Sequence, residues 1–325
     1  LAACDRGLRV LLTEETDWIG GQVTAQGVPP DEHEWIEQYG STRRYREFRE
    51  KVRDTYLRTM DVKTEMKNFN PGAASVSNIA HDPRVALHVL NEMLLPYTLT
   101  NQLTIHLNTK VLQVVKTNRL LQEVVLKNTQ TDSIQKISAD YFIDATEVGD
   151  MLPLANVEYV TGAEAKSETD EAHAVETSNP NDIQAFTYVL GMEYRDGEEH
   201  TIPEPDMYAF WKTFHPDIWP DKYLSFYAPH PITKEKREYT LFRDNQHFSL
   251  WEYRRIFAKD QFITPFHSGE VTLLNWPQND YFLGNIYEVS EEEKNKHEYQ
   301  AKQLSLSLLY WLQTEAPRPD GGKGY

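Results

Sequence analysis

The sequence predicts an α/β protein built in two parts, and three observations carry that prediction. A short apolar run at residues 9–14 follows a glycine and ends in acids, the order expected in the first βαβ unit of a nucleotide-binding fold. Residues 103–143 alternate apolar and polar positions in short segments, which is typical of a β meander. Ser290 opens a long amphipathic segment with a capping box, which predicts a helix.

The composition excludes several classes of protein. The chain has 325 residues, 33 Lys and Arg against 50 Asp and Glu, a formal net charge of −17 and one cysteine, Cys4. That charge argues against binding to nucleic acid or to a membrane surface, and no apolar run reaches the roughly 20 residues of a transmembrane helix. One thiol cannot form an internal disulfide, a zinc site or a cysteine-ligated cluster. We therefore expect a soluble, cytoplasmic protein whose partner is a small molecule.

The N-terminal elements are predicted from spacing and end signals. Residues 1–7 are typical of the second half of a helix that stops at a glycine. Residues 41–60 carry apolar side chains three and four positions apart, which predicts a helix with a charged outer surface. Asp82 and Pro83 are an N-cap and first-turn pair for a further helix, which we expect to end near Pro96.

The later elements are predicted in the same way. The meander is expected to have four strands, at residues 103–107, 111–115, 121–126 and 134–143. An acidic exposed loop then marks a boundary, and the remainder is predicted to contain these elements: a strand at 185–192, a helix at 206–214, several short strands within 223–287, and the helix after Ser290.

The first candidate ligand-binding segment directly follows the run at residues 9–14. Glu14 and Glu15 stand where a dinucleotide fold has an acid that accepts hydrogen bonds from ribose hydroxyls. Gly20 and Gly21, followed by Gln22, let a backbone pass close to a ligand. The alternative is a strand that ends in solvated acids before a tight turn.

The second candidate segment is residues 142–150. Here a predicted strand delivers Asp144, Ala145 and Thr146 to a turn that contains Gly149. Small residues at the carboxyl end of a strand are where open α/β sheets bind ligands. The alternative is an ordinary exit from a strand into a loop.

Taken together, these segments resemble the FAD-dependent oxidoreductase family with an FAD domain of the two-dinucleotide-binding type. The chain is similar to a bacterial group that carries W-I-G-G-Q-x-T-A-Q-G-V-P-P-D-E, here at 18–32, before G-S-T-R-x-Y-R-x-F-R at 40–49. The run D-A-T-E-V-G-D-M-L-P-L-A at 144–155 and the helix end Y-W-L-Q-T-E at 310–315 are also similar to that group. The resemblance covers nearly the whole chain.

The resemblance implies an FAD/NAD(P)-binding Rossmann-like domain with a β meander, plus a mixed α/β substrate region. It implies FAD as the cofactor, with Glu14 as the ribose ligand and Glu15 as the fallback. Val111 matches the position whose backbone faces the adenine, and Thr146 with Gly149 would lie near the pyrophosphate. The full implied cofactor-binding set is Glu14, Glu15, Gly20, Gly21, Gln22, Val111, Ala145, Thr146 and Gly149.

The resemblance also predicts how the chain is divided. Residues 1–160 would be the FAD-binding portion, with a helical insertion at about 31–100, and residues 161–325 the substrate region. The family's opening G-x-G-x-x-G on the first strand is absent, and members extend beyond Tyr325 with a segment that closes over the flavin. We expect an internal fragment that binds FAD poorly and is inactive by itself.

The reacting group is harder to identify. His33 lies on the loop after the glycine pair and is the candidate proton carrier, with an exposed loop histidine as the alternative. No metal site is predicted.

Two other functions are weighed against hydride transfer to flavin. One is a carbohydrate-acting or carbohydrate-binding protein, suggested by tryptophans that could stack on sugars: Trp211, Trp219, Trp251, Trp276 and Trp311. The other is a flavin-fold binding module without redox activity.

Overall fold

A computed structural model of the chain describes residues 1–63 and 69–325. Its helices and strands are mixed, which confirms the predicted α/β class. The chain forms two compact units: unit 1 comprises Leu1–Ala25 and Leu87–Ile183, and unit 2 comprises Gln26–Ala86 and Gln184–Tyr325. These units divide the chain differently from the predicted segments 1–160 and 161–325, whose cofactor and substrate roles stay predictions.

The secondary structure consists of short strands and of helices that differ widely in length. The helices in chain order are α1 (Ala2–Asp5), α2 (Arg43–Thr59), α3 (Pro83–Leu99), α4 (Met151–Leu154), α5 (Lys166–Thr169), α6 (Tyr208–Thr213), α7 (Leu250–Tyr253) and α8 (Glu291–Thr314). The strands are β1 (Val10–Thr13), β2 (Leu103–His106), β3 (Thr109–Thr117), β4 (Leu120–Asn128), β5 (Ile134–Ser138), β6 (Phe186–Thr187), β7 (Leu190–Tyr194), β8 (Tyr227–Pro229), β9 (Lys236–Thr240), β10 (Phe248–Ser249), β11 (Arg255–Phe257), β12 (Glu270–Leu274) and β13 (Asp280–Tyr281). Among the helices of residues 1–63 and 69–325, none has both the length and the apolar character needed to cross a membrane.

Unit 1 begins as predicted, with a helix, a glycine and a strand. Gly7 has a φ of +81°, the left-handed conformation that ends α1. The following run forms β1, which pairs in parallel with β2 along the whole length of both strands. The side-chain amide of Gln102 donates to the carbonyl oxygen of buried Cys4 at 2.6 Å, so α1 is held against the residues that enter β2.

The predicted four-stranded meander is wrong in its first strand, and its last strand is shorter than predicted. The first predicted strand is β2, which pairs with β1, and the antiparallel sheet contains only β3, β4 and β5. Residues 141–145 form no strand within the described part of the chain. Phe142 packs into the small core beside the sheet, whereas Tyr141 and Ile143 are 85% and 84% exposed. Alternation favours a strand, but a strand also requires a hydrogen-bonded neighbour, and residues 1–63 and 69–325 provide none for this segment.

Helix α3 begins where predicted and ends later. Asp82 precedes it, and its Oδ1 accepts the backbone N–H of Arg84 at 2.8 Å, as expected for a residue that caps a helix. The helix does not end near Pro96 but continues for almost another turn. Proline removes only one backbone donor, so the residues that follow Pro96 can still donate to carbonyl groups of the preceding turn. The chain leaves the helix at Asn101, whose φ is +56°.

Unit 2 is built around an aromatic core. Four of the tryptophans, Trp211, Trp251, Trp276 and Trp311, are at most 8% exposed, and half-buried Trp219 packs against them. Helix α8 contributes its apolar stripe to this core, and its first turn is capped by Ser290, whose Oγ accepts the N–H of Glu293 at 3.2 Å. The tryptophans therefore pack the core and give no support to sugar stacking.

The strand predicted at residues 185–192 is two strands in different sheets. β6 pairs with β13, whereas β7 pairs with β12. The chain changes sheets after Thr187, so one continuous apolar run serves two pairings. Helices α6 and α8 form where predicted.

Candidate functional site

Glu14 lies directly after β1, and within the described residues only one of its two carboxylate oxygens accepts hydrogen bonds. Oε1 accepts the backbone N–H of Thr16 at 2.8 Å and its hydroxyl at 2.9 Å. The Thr16 hydroxyl also accepts the N–H of Trp18 at 3.2 Å, which fixes the turn after the strand. Oε2 has no hydrogen bond within the described residues. A half-buried, oriented carboxylate with one oxygen available is well suited to accept ligand hydroxyls.

Backbone hydrogen bonds join the end of β1 to the start of β3. The N–H of Thr109 donates to the Glu14 carbonyl at 2.8 Å, and the N–H of Asn108 donates to the Thr16 carbonyl at 2.9 Å. Val111 lies two residues further along β3, opposite Leu126. Immediately after Val111 the register shifts, so β3 bulges there and its backbone is less fully paired. Glu14 and the region of Val111 are thus brought together in unit 1.

The glycine pair is required by backbone conformation. Gly20 has a φ of +115° and Gly21 a φ of +53°, both unfavourable for residues with a side chain. A Cβ on Gly20 would lie 2.6 Å from Leu90 Cδ1 and 2.7 Å from Thr24 Oγ1, so a side chain does not fit there. Gln22 is exposed on the short 3₁₀ turn that follows.

The loop at 144–150 is organised by Asp144, which the sequence places in this segment but not in the predicted cofactor-binding set. Asp144 Oδ1 accepts the N–H of Thr146 at 3.0 Å and its hydroxyl at 2.8 Å, and Oδ2 accepts the N–H of Met151 at 2.9 Å. Burial alone raises the pKa of Asp144, but these hydrogen bonds outweigh burial and lower it. Thr146 therefore uses both donors to hold the loop, while Ala145 is exposed and Gly149 has a φ of +72°. An acid two residues before a threonine at the end of a predicted strand is the signal that could have identified Asp144.

A small open cavity lies in unit 1 where the β2–β3 turn meets β4 and β5. Its volume is about 260 Å³, and it is lined by His106, Leu107, Thr109, Leu126, Asn128, Ser133 and Gln135. Ligand pockets usually measure about 300–1,000 Å³. None of the predicted cofactor-binding residues lines this cavity, so we do not assign a ligand to it.

All nine predicted cofactor-binding residues belong to unit 1, whereas His33 belongs to unit 2. The exposed His33 ring lies beside Trp35 and Tyr39, with ring centroids 6.1 and 6.4 Å away. Nδ1 accepts the backbone N–H of Trp35 at 3.2 Å, so the neutral ring carries its proton on Nε2. A Cβ on Gly40 would fall 2.5 Å from Nε2, which means that the ring lies directly over that glycine.

Buried ion pairs with helix α2 fix the loop that carries His33. Glu32 accepts Arg49 Nε at 2.7 Å, the Tyr45 hydroxyl at 2.7 Å and the Ser77 hydroxyl at 3.1 Å. The side chains of Glu32 and Arg49 are 3% and 4% exposed. A buried charge with several charge-assisted partners is costly to separate, so the loop is held at Glu32.

Glu37 provides the second attachment of the same loop. It accepts Arg49 Nη2 at 2.7 Å and Arg53 Nη2 at 2.6 Å. Burial alone raises the pKa of Glu37, but the hydrogen bonds and charges of the two arginines lower it to about 2. His33 therefore lies between two anchored residues, Glu32 and Glu37. Sequence spacing did not identify this network, because its partners are distant along the chain.

Comparison with known proteins agrees with the resemblance of the sequence. A family model described as FAD dependent oxidoreductase matches residues 1–325. No curated protein matches the chain, and no solved structure does. Because the match spans every residue, the chain belongs to the FAD-dependent oxidoreductase family, and its cofactor is FAD.

Proposed function

We propose that the protein transfers hydride between a small organic substrate and FAD held by a Rossmann-like unit 1. The observation that carries the proposal is Glu14, an oriented carboxylate at the end of a parallel strand with Oε2 available. In dinucleotide-binding folds an acid at this place accepts hydrogen bonds from the adenosine ribose. The chain's membership of the family supports the same cofactor.

The other residues of unit 1 fit this cofactor in distinct ways. Gly20 and Gly21 adopt conformations that bring backbone, without side chains, to the surface beside the turn after Glu14. The bulge after Val111 leaves backbone groups that could meet the adenine. Asp144 stabilises the loop, so we propose that backbone groups around Ala145 and Gly149, rather than the Thr146 hydroxyl, approach the pyrophosphate. Glu15 remains the fallback for the ribose contact.

When bound, the flavin supplies the redox chemistry, and the protein orients the substrate and handles its proton. His33 is our candidate for the residue that contacts this substrate proton. Because Nδ1 accepts a backbone hydrogen bond, neutral His33 can donate from Nε2 but cannot accept a proton there. Neutral His33 would therefore act as a hydrogen-bond donor; to act as an acid it would first have to take up a proton on Nδ1, which would break the hydrogen bond from Trp35. The redox-inactive binding module is the second candidate, and a bound flavin that no substrate reduces would favour it.

The proposal is tested by the visible absorption spectrum of protein purified from its complete reading frame. We expect paired flavin bands that bleach with dithionite, and release of FAD rather than FMN on heating, because the proposed ribose contact exists only in FAD. A colourless protein that cannot be reconstituted with FAD would refute the proposal. Bound FMN would contradict the proposed role of Glu14, because FMN has no adenosine ribose. The protein would still be a flavoprotein.

A further inference from the structure

Three side chains of unit 2, His33, Trp35 and Tyr39, form an exposed cluster of rings that we call the aromatic patch. Trp35 and Tyr39 are 51% and 58% exposed. The ring centroids of His33 and Trp35 are 6.1 Å apart, those of Trp35 and Tyr39 are 6.1 Å apart, and those of His33 and Tyr39 are 6.4 Å apart. Large aromatic side chains are mostly buried, and clustered apolar side chains in solvent mark interaction sites more often than single ones do.

Backbone hydrogen bonds bring the rings of the aromatic patch to one side of the chain. The N–H of Tyr39 donates to the Trp35 carbonyl at 3.1 Å, which is the bond between residues i and i+4 of a helical turn. Side chains four positions apart in such a turn are neighbours. The N–H of Ile36 donates to the His33 carbonyl at 3.1 Å, and the Ile36 side chain is 5% exposed. The turn is therefore anchored inward by Ile36 while its rings stay in solvent.

The aromatic patch is also held from both ends. Glu32 precedes it and is paired with Arg49 at 2.7 Å, in a contact where both side chains are buried. Glu37 lies within it and accepts hydrogen bonds from Arg49 and Arg53 at 2.7 and 2.6 Å. A surface that is already ordered loses less conformational entropy when a ligand binds. The frame thus presents the rings in a preorganised arrangement.

The spacing of the three rings suits a single positive charge. Their centroids form a nearly equilateral triangle whose centre lies about 3.6 Å from each of them. A cation about 4 Å above that centre would be between about 5 and 6 Å from every centroid, within the roughly 6 Å reach of a cation–π contact. The ring planes are within 41° of one another, so their faces point in the same general direction. Tryptophan is the best cation–π partner among the aromatic side chains.

The charges around the aromatic patch also favour a cation. Residues 31–40 include four acids and no lysine or arginine. Three of these acids, Asp31, Glu32 and Glu37, form ion pairs with arginines. The fourth, Glu34, is exposed and stands between two residues of the patch in the sequence, so it adds a negative charge there. The chain as a whole carries a formal net charge of −17, which attracts cations and repels anions.

We propose that the aromatic patch binds the ammonium or quaternary ammonium group of a small organic substrate. The rings supply cation–π attraction, and Glu34 supplies the complementary charge. A neutral group of the same shape would gain contact area but neither of these electrostatic contributions. As a site for the substrate, this inference rests on the proposed oxidoreductase function.

The test measures binding of choline and of its uncharged analogue 3,3-dimethyl-1-butanol to the full-length protein by titration in saturation-transfer NMR. Trp35→Leu and Tyr39→Leu each remove one ring. Leucine at position 35 keeps the backbone N–H that donates to His33, so the arrangement of the loop should survive. Tyr141→Leu is the matched control, because it removes a tyrosine that is 85% exposed and lies outside the aromatic patch.

We expect the wild type to bind choline at least about fivefold more tightly than the neutral analogue, and each loss of a ring to weaken choline about two- to fivefold. Tyr141→Leu should bind choline like the wild type. All three variants should melt close to the wild-type temperature, since the replaced side chains are exposed. The inference is overturned if the wild type does not bind choline, if the neutral analogue binds equally well, or if Trp35→Leu and Tyr39→Leu bind choline no more weakly than the control.

Flavin content is measured on the same samples and separates the two proposals. A protein that retains flavin but does not bind choline contradicts the cation site alone. A protein that binds choline in a manner that depends on Trp35 but cannot hold flavin contradicts the oxidoreductase proposal and leaves the cation site in place.

Discussion

Glu14→Gln is the substitution that tests the cofactor site most directly. The glutamine keeps an Oε1 that can accept both hydrogen bonds from Thr16, so the turn after β1 should survive. It replaces the available carboxylate oxygen by an amide NH₂, which cannot accept a ribose hydroxyl. A lost hydrogen bond to a charged group is worth about 1.5–3 kcal/mol. At about 1.4 kcal/mol per factor of ten, FAD should bind roughly 10- to 150-fold more weakly.

The assay is equilibrium titration of flavin-stripped full-length protein with FAD, followed by the change in flavin fluorescence. Glu15→Gln is the matched control, because Glu15 is the neighbouring acid and is exposed. It should alter FAD affinity by less than about twofold, and both variants should melt within a few degrees of the wild type. Equal affinities of the two variants would remove Glu14 from the site. A weaker Glu15→Gln with a normal Glu14→Gln would transfer the ribose contact to Glu15.

Three further predictions concern the framework around the proposed sites. Gly20→Ala should destabilise the protein and lower its flavin content, because the new Cβ would lie within 2.7 Å of Leu90 and Thr24. Gly27→Ala is the control: its Cβ would have nothing within 4 Å, so only about 1–2 kcal/mol of backbone strain should be lost from the free energy of unfolding in a urea titration. Arg49→Met should lower the free energy of unfolding by about 3–5 kcal/mol, because it removes the arginine that pairs with the buried carboxylate of Glu32. Arg58 forms an exposed pair with Asp54, so Arg58→Met is the control and should cost less than about 0.5 kcal/mol. Equal effects of the two substitutions would contradict the role of burial. Since the folded-state pKa of Glu37 is lowered from 4.5 to about 2, its stabilisation is present above pH 4.5 and is lost as the pH falls toward 2; Glu37→Gln should flatten the acid limb of a stability-against-pH curve, and an unchanged limb would show that other carboxylates dominate it.

The sequence predicted those elements whose signals are local. Gly7, Asp82 and Ser290 mark helix ends that the structure contains, because a cap or a left-handed residue acts within one turn. The meander was only partly predicted, since alternation cannot say which strand will pair with which. β2 pairs with β1 and not with the meander, and this pairing depends on residues almost a hundred positions away in the sequence.

The candidate site shows the same limit. The position of Glu14 after a strand was predictable, and so was the need for glycine at position 20. The role of Asp144 became clear only from its contacts with Thr146 and Met151. The ion pairs of Glu32 and Glu37 with Arg49 had no signal in the sequence, because the partners lie far apart along the chain.

Residues 141–145, which form no strand in the described part of the chain, should affect how the purified protein behaves at high concentration. Tyr141 and Ile143 present large apolar side chains to solvent, beside backbone groups that pair with no strand of the described residues. Such a segment can pair with its counterpart in another molecule, which is how exposed edges start aggregation. We therefore expect the protein to aggregate when it is concentrated. Ile143→Lys would place a charge in this segment and should reduce aggregation without changing any residue proposed to contact FAD.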